Sequence, residues 1–272
     1  NKKELLIDHI SGFEYDREYK RKYQLNNFNI PCRKASYSER LQPFSRIRRV
    51  LRRFKNFFIS FEKKDYICLN NQYFDNRIVN FKSSSNLYLE GYFQSENYFK
   101  DVENQIREDL KIFTPNNQAS KKISNQIKKF KKKSVAVHFR FFDKISNIKG
   151  KNLPSLNLPL VYYRKAIKKM ETLLPNAHYF IFSDNPKKAK DLMPISNQRF
   201  SVVTSQVDNK YAYQDLWLMS QCKHFIIANS TYSWWGAWLA NFNDKIVIAP
   251  RPNKNYSHWR DSKLLPKKWI KI

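Results

Sequence analysis

Glycine is nearly missing from this chain, with four in 272 residues. That scarcity removes the Gly-x-Gly-x-x-Gly and Walker A phosphate loops, which need several glycines close together. Cysteine is scarce as well. Cys32, Cys68 and Cys222 are odd in number, far apart and form no Cys-x-x-Cys. This usage fits a reducing compartment and supplies no thiolate metal set. No Asp-x-Asp occurs, so a diphosphate clamped through a carboxylate-bound metal is not expected. No apolar run approaches the ~20 residues that cross a bilayer. No secretory apolar segment opens the sequence, and internal repeats are absent. The first residue is Asn1 rather than Met, so the sequence reads as starting inside a longer chain.

Acidic residues are few, 23 against 51 Lys and Arg, for a formal net charge of +28. Such a surface attracts nucleic acid, anionic lipid heads or phosphorylated ligands, although charge alone speaks to association and not to fold. What is plentiful is apolar and aromatic matter, 42% and 16% of residues, enough to fill a core. Composition therefore excludes a disordered chain, and the length suits one large domain or two ordinary ones.

Two halves read differently, 1–130 and 131–272. In the second, short β-branched and aromatic runs alternate with helical patterns. "SVAVHFRF" (134–141), "HYFIFS" (178–183), "FSVV" (200–203), "HFIIAN" (224–229) and a last run "KIVIAP" (245–250) read as strands. "LVYYRKAIKKMETLL" (160–174), a short segment from Pro186, "YQDLWLMSQC" (213–222) and the tryptophan-rich "STYSWWGAWLA" read as helices. This alternation predicts an α/β fold with a parallel sheet. The first half is less regular. "ELLIDHI" and "NLYLEGYF" read as strands, and 101–113 and 123–133 as helices, with "KKFKKK" (128–133) as the hinge between halves. "RIRRVLRRFKNFF" (46–58) is basic and amphipathic, either a solvated face or a membrane-surface element.

Three turns carry polar residues where strands should end. His138, Arg140 and Asp143 lie in "VAVHFRFFDK"; His138 and Arg140 are two apart, so an extended chain points them the same way. In a parallel sheet ligands sit at the carboxyl ends of strands, and an arginine there offers a planar fork of donors to a diphosphate. The alternative is a structural ion pair. Ser183 and Asp184 follow the next strand; the carboxylate could accept from a ribose or a guanine, or cap the helix that opens at Pro186. Asn229, Ser230, Thr231 and Ser233, with Tyr232 among them, stand where a strand hands over to a helix, a natural anion site through its unpaired N–H groups. Trp234, Trp235 and Trp238 read mainly as core, and Gly236 and Ala237 as sites of close helix approach.

Together "VAVHFRFFDK", "FIFSDN" and "CKHFIIANSTYSWWGAWLA" resemble the bacterial α-1,2-fucosyltransferases of glycosyltransferase family 11. "LEGYFQSENYF" (89–99), "SGFEYDREYKRKYQLNNFNI" (11–30) and "LLPKKWIKI" (264–272) extend the resemblance over nearly the whole chain. It implies a GT-B arrangement of two Rossmann-like domains, with an acceptor-side domain at 1–130 and a GDP-sugar-binding domain at 131–272. It implies inverting transfer of fucose from GDP-fucose to the 2-hydroxyl of a galactose-type glycan, with no metal or other cofactor and no nucleic acid. By position, Arg140 would hold the leaving diphosphate, His138 and Asp184 would orient ribose and guanine, the turn from Asn229 to Ser233 would add donors, and Asp143 would act as base. The family's His-x-Arg-Arg-Gly-Asp departs here: Phe141 and Phe142 replace the second arginine and the glycine. Its N-terminal Gly-Gly-Leu-Gly-Asn-Gln loop has no counterpart in these 272 residues. The expected location is cytoplasmic, peripheral on an anionic inner membrane face. A rival expectation is a basic RNA- or membrane-binding module on a degenerate transferase fold; another is a transferase using a different GDP-deoxyhexose.

Overall fold

A computed structural model describes residues 4–14, 16, 21–69, 73–82, 86–142, 156–204, 211–253 and 259–272. The chain divides into two units. The first comprises Asn1–Arg17, Ile30–Asp109 and Pro252–Pro266; the second comprises Glu18–Asn29, Leu110–Arg251 and Lys267–Ile272.

The first unit holds two short parallel strand pairs, β1 (Leu6–Ile7) with β2 (Arg33–Lys34) and β3 (Tyr66–Leu69) with β4 (Tyr88–Gly91). Gly91 has φ of +137°, and a Cβ there would stand 2.8 Å from Leu69 Cβ, so the pairing needs glycine at this point. Helices α1 (Ser11–Glu14), α2 (Ser45–Phe57), α3 (Asn76–Val79) and α4 (Glu103–Asp109) belong to this unit. The returning segment is bound in by polar contacts: Asp261 Oδ2 accepts from Phe74 N at 2.7 Å, and Ser95 Oγ donates to Lys263 O at 2.7 Å. Only two residues of "ELLIDHI" pair as a strand, and the helix expected over 101–113 stops at Asp109, where the chain leaves for the second unit.

The second unit is built on one six-stranded sheet in which every pairing is parallel. Its strands are β5 (Ser134–Phe139), β6 (His178–Ser183), β7 (Phe200–Val202), β8 (His224–Ile226), β9 (Val247–Ala249) and β10 (Ile270–Lys271). Helices α5 (Gln118–Phe130), α6 (Leu160–Leu173), α7 (Pro186–Asp191), α8 (Ala212–Gln221) and α9 (Thr231–Leu239) alternate with them. The α/β class and the parallel sheet are those expected. The spatial order β10-β9-β8-β5-β6-β7 means that the chain fills one side of β5 and then jumps to the other. The doubly wound dinucleotide-binding order is the same, and its ligand crevice opens where that jump occurs, between β5 and β8.

Burial explains the apolar runs. β5 is buried along its whole length, as a strand covered on both faces must be. Val135, Val137 and Phe139 on one face meet α6 through Tyr162, Tyr163, Ala166, Ile167 and Met170. Those five recur at i, i+1, i+4, i+5 and i+8, one stripe of a helix. Two expectations need correction. "KKFKKK" is the end of α5 and a 3-10 turn leading straight into β5 within the second unit, not a hinge. Nor is 245–250 the last strand: β10 pairs with β9 and finishes the edge, a two-residue contact too short to leave a pattern.

Candidate functional site

The site is assembled from the chain that leaves β5, β6 and β8. Parallel pairing of β5 with both β6 and β8 puts those three exits on one rim. Arg140 follows β5 directly and Asp184 follows β6. Arg140 Nη1 donates to Asp184 Oδ2 at 2.8 Å, while Phe141 N donates to Asp184 Oδ1 at 3.0 Å. One carboxylate therefore fixes both the guanidinium and the backbone that carries it. Asp184 does not cap α7. Asn185 does, with Oδ1 accepting from Lys188 N at 3.1 Å, and Ser183 Oγ accepts from Asn185 N at 3.0 Å. The alternative anticipated for Arg140 is an ion pair, and Arg140 does pair with a carboxylate, that of Asp184, 44 residues along the chain.

Asp143 lies outside the described residues. Phe141 stacks toward Phe139, with ring centroids 6.4 Å apart, and Lys188 Nζ lies 4.5 Å from the Phe141 centroid. A cation from α7 thus sits over the ring that occupies the family's second arginine position. Phe142 is buried, with its centroid 5.3 Å from Arg140 Cζ.

On the β8 side, Ser230 is the N-cap of α9, in extended conformation and without a side-chain capping bond. Thr231 is the first helical residue and partly exposed, so the first-turn N–H groups and the hydroxyls of Ser230 and Thr231 form the polar end of α9. Ser233, Tyr232 and Asn229 are placed differently. Ser233 is fully buried and its Oγ donates to Ser230 O at 3.2 Å. Tyr232 Oη donates to Ala212 O at 2.5 Å. Asn229 is fully buried, and its Nδ2 donates to Leu156 O at 2.9 Å. All three shape the turn from within. Trp234 and Trp238 are core, stacked with centroids 6.2 Å apart; Trp235 is half-buried.

His138 joins the two sides. It is buried on β5, with its ring centroid 5.8 Å from that of Tyr232. Burial, reinforced by the charge of Arg140, lowers its pKa to about 3, so the imidazole is neutral at pH 7. Among the described residues its Nδ1 has no hydrogen-bond partner.

Sequence reasoning missed the residues that hold the rim. Tyr163 Oη donates to His138 O at 3.1 Å and Tyr162 Oη donates to Ile227 O at 2.6 Å. Adjacent residues on a helix diverge by about 100°, and here the divergence lets one turn of α6 grip the ends of both strands that flank the crevice. The Leu156–Asn157 segment adds a second tie. Asn157 Oδ1 accepts from Phe142 N at 2.6 Å, while Leu156 O accepts from Asn229. The signal was present in "LVYY": two phenols at buried positions need acceptors. A shallow cleft of about 440 Å³ between α5 and α8, lined by Lys121, Ser124 and Trp217, lies in the helical layer; it contains none of the rim residues.

Taken together the rim offers a guanidinium held by a carboxylate, a neutral imidazole and a hydroxyl-bearing helix start. Groups of these kinds can bind a phosphorylated ligand and take up negative charge that develops on it. Residues 30–272 match the model of glycosyl transferase family 11. The chain is 30% identical over 266 residues to the O-antigen biosynthesis glycosyltransferase WbnK of Escherichia coli, covering 94% of this chain and 86% of that protein. It is 34% identical over 186 residues to an alpha-1,2-colitosyltransferase of Escherichia coli, covering 67% of this chain and 61% of the other. Among solved structures, NodZ alpha-1,6-fucosyltransferase soaked with GDP-fucose matches with a TM-score of 0.38 and 17% identity, over 60% of this chain and 55% of that one. The family match spans most of the sequence, and this chain belongs to glycosyl transferase family 11.

Proposed function

We propose that this glycosyltransferase moves fucose from GDP-fucose to the 2-hydroxyl of a galactose-type unit in a surface glycan such as an O-antigen. The observation that carries the reading is Arg140, fixed by Asp184 on the same rim of the parallel sheet at which β8 ends and the polar start of α9 follows. The acceptor oxygen attacks the anomeric carbon from the face opposite the diphosphate. The bond from that carbon to phosphate oxygen breaks, and its electron pair stays on GDP. Arg140 meets the negative charge that grows on this oxygen; a preorganised donor of that kind is worth roughly a hundredfold to a thousandfold in turnover. The hydroxyl proton passes to a base, for which Asp143 is the candidate by position. The reading needs no divalent ion, so chelator leaves turnover unchanged.

A second reading keeps the enzyme and changes the sugar, and the likeness to an alpha-1,2-colitosyltransferase favours it. A screen of GDP-, UDP- and CDP-sugars against β-galactoside acceptors decides between them. Transfer from GDP-fucose alone supports the first reading, and transfer only from another GDP-deoxyhexose supports the second. A chain that binds no GDP but binds RNA, weakening steeply with salt, is not a working transferase.

A further inference from the structure

Helix α2 is turned inside out. An amphipathic helix ordinarily lays its apolar stripe on the core. Here Ile47, Val50, Leu51, Phe54, Phe57 and Phe58, spaced to form one face, are all exposed, Phe57 at 81%. The opposite, polar face packs on the protein. Arg49 Nη2 donates to Asp8 Oδ2 at 2.8 Å and lies over the Tyr88 ring. Asn56, buried, donates to Asp65 Oδ1 at 2.9 Å, and Arg53 Nη2 donates to Glu90 Oε1 at 2.8 Å. Three carboxylates from separate parts of the first unit therefore set the rotation of the helix, and that rotation presents the apolar stripe to the outside. Phe44, just before the helix, is 70% exposed and extends the stripe. Phe54, Phe57 and Phe58 meet edge to face at its far end, with centroids 5.0 and 5.4 Å apart.

Charge selects the occupant. On a helical projection Arg46 borders the stripe on one side, next to the Glu90-paired Arg53 of the packed face, and Arg48 and Lys55 border it on the other. An apolar band between two cationic edges matches an anionic bilayer, whose acyl region takes the phenyl rings while its phosphates meet the edges. A second copy of the chain would bring like charges against like along both edges. No described helix is long and apolar enough to cross a membrane. We propose that α2 is an interfacial anchor, lying in the plane of an anionic membrane surface with Ile47, Val50, Leu51, Phe54, Phe57 and Phe58 inserted.

The test uses the full chain and sedimentation with vesicles of phosphatidylcholine containing one third phosphatidylglycerol. Phe54→Ala/Phe57→Ala/Phe58→Ala should lower the partition coefficient on the order of a thousandfold, because each ring withdrawn from water contributes roughly tenfold. Arg46→Gln/Arg48→Gln/Lys55→Gln should lower it on the order of a hundredfold, at roughly fivefold per cation. Thermal unfolding controls for folding, and since the changed side chains are exposed, both variants should keep the wild-type midpoint. The variant Phe54→Trp, whose indole emission would shift to the blue and be quenched by lipids spin-labelled on the acyl chain, reports insertion directly. The proposal is overturned if the triple phenylalanine variant binds as tightly as wild type, which would mean adsorption by overall charge. It is also overturned if the emission of the introduced indole stays at its aqueous wavelength on vesicles, or if the wild-type chain forms a dimer in solution that the phenylalanine variant does not.

Discussion

Replacing Asp184 with Asn isolates the contact on which the site rests. The side chain keeps its shape and one acceptor, so Phe141 N–H can stay bonded, while the charge opposite Arg140 is lost. The two side chains are 26% and 31% exposed. Charges about 4 Å apart at an effective dielectric of ~20 attract by ~4 kcal/mol. Desolvation and side-chain ordering offset most of this, leaving about 1–2 kcal/mol for a partly exposed charged hydrogen bond. A protein of this size loses about 2–4 °C in melting midpoint per kcal/mol, so the variant should melt a few degrees lower and still fold. Turnover should suffer through Arg140. With its guanidinium no longer fixed, kcat/KM for the nucleotide sugar should fall about tenfold, about 1.4 kcal/mol in transition-state stabilisation. Arg140→Ala should cost on the order of a hundredfold or more. The decisive measurement is the double variant. If Asp184 acts by positioning Arg140, then Asp184→Asn costs nothing further once Arg140 is gone. A further tenfold loss in the Arg140→Ala background would refute this and return Asp184 to direct contact with ribose or guanine.

Other parts of the structure give tests of their own. Tyr162→Phe and Tyr163→Phe each leave a buried strand-end carbonyl without its donor, costing about 1–3 kcal/mol; thermal unfolding together with a raised KM for donor would show that the phenols hold the rim, and wild-type values for both variants would show that they do not. Ala at Gly236 would crowd the Met219 side chain, with Cγ only 2.9 Å from the new carbon, where α9 crosses α8. A loss of about 1–3 kcal/mol is expected, and an unchanged chemical denaturation midpoint would rule out so close a packing. His138, with its pKa lowered to about 3, stays neutral in the folded protein while the unfolded chain takes up a proton near pH 6.5. Stability is then insensitive to this group above pH 6.5 and falls as pH drops toward 3, by up to ~1.4 kcal/mol per pH unit. His178 and His224 are shifted in the same direction. His138→Leu should therefore flatten the slope of unfolding free energy between pH 6 and 4 by about one proton without abolishing it.

Periodicity was a good guide to the second unit because its strands are buried on both faces. Such strands read as continuous runs of Val, Ile and Phe, and α6 and α8 begin and end within a residue or two of their patterns. The strand-end polar turns were legible for the same reason: where the apolar run stops, the rim begins. The pairing of Arg140 with Asp184 was not, since it joins residues 44 apart that only sheet order brings together. Helix α2 was recognised as amphipathic, yet its sequence could not say which face would be buried. That depended on Asp8, Asp65 and Glu90, carried by unrelated stretches of chain. The first unit stayed obscure because its strands are two to four residues long and its helices are mostly short, so contacts between distant segments outweigh local propensity.

The interleaving of the two units limits how this enzyme can be recombined. The sheet-bearing unit draws on three stretches of sequence, the last being Lys267–Ile272, and the other unit reclaims Pro252–Pro266 between them. No single crossover can therefore exchange one whole unit for that of a relative. A chimaera joined once near residue 110 would inherit Pro252–Pro266 from the wrong parent and lose the native Glu18–Asn29, leaving both units with foreign pieces. On the proposed reading, in which the donor sits at the β5 and β8 rims, a new donor preference calls for substitutions there rather than for an exchange of halves.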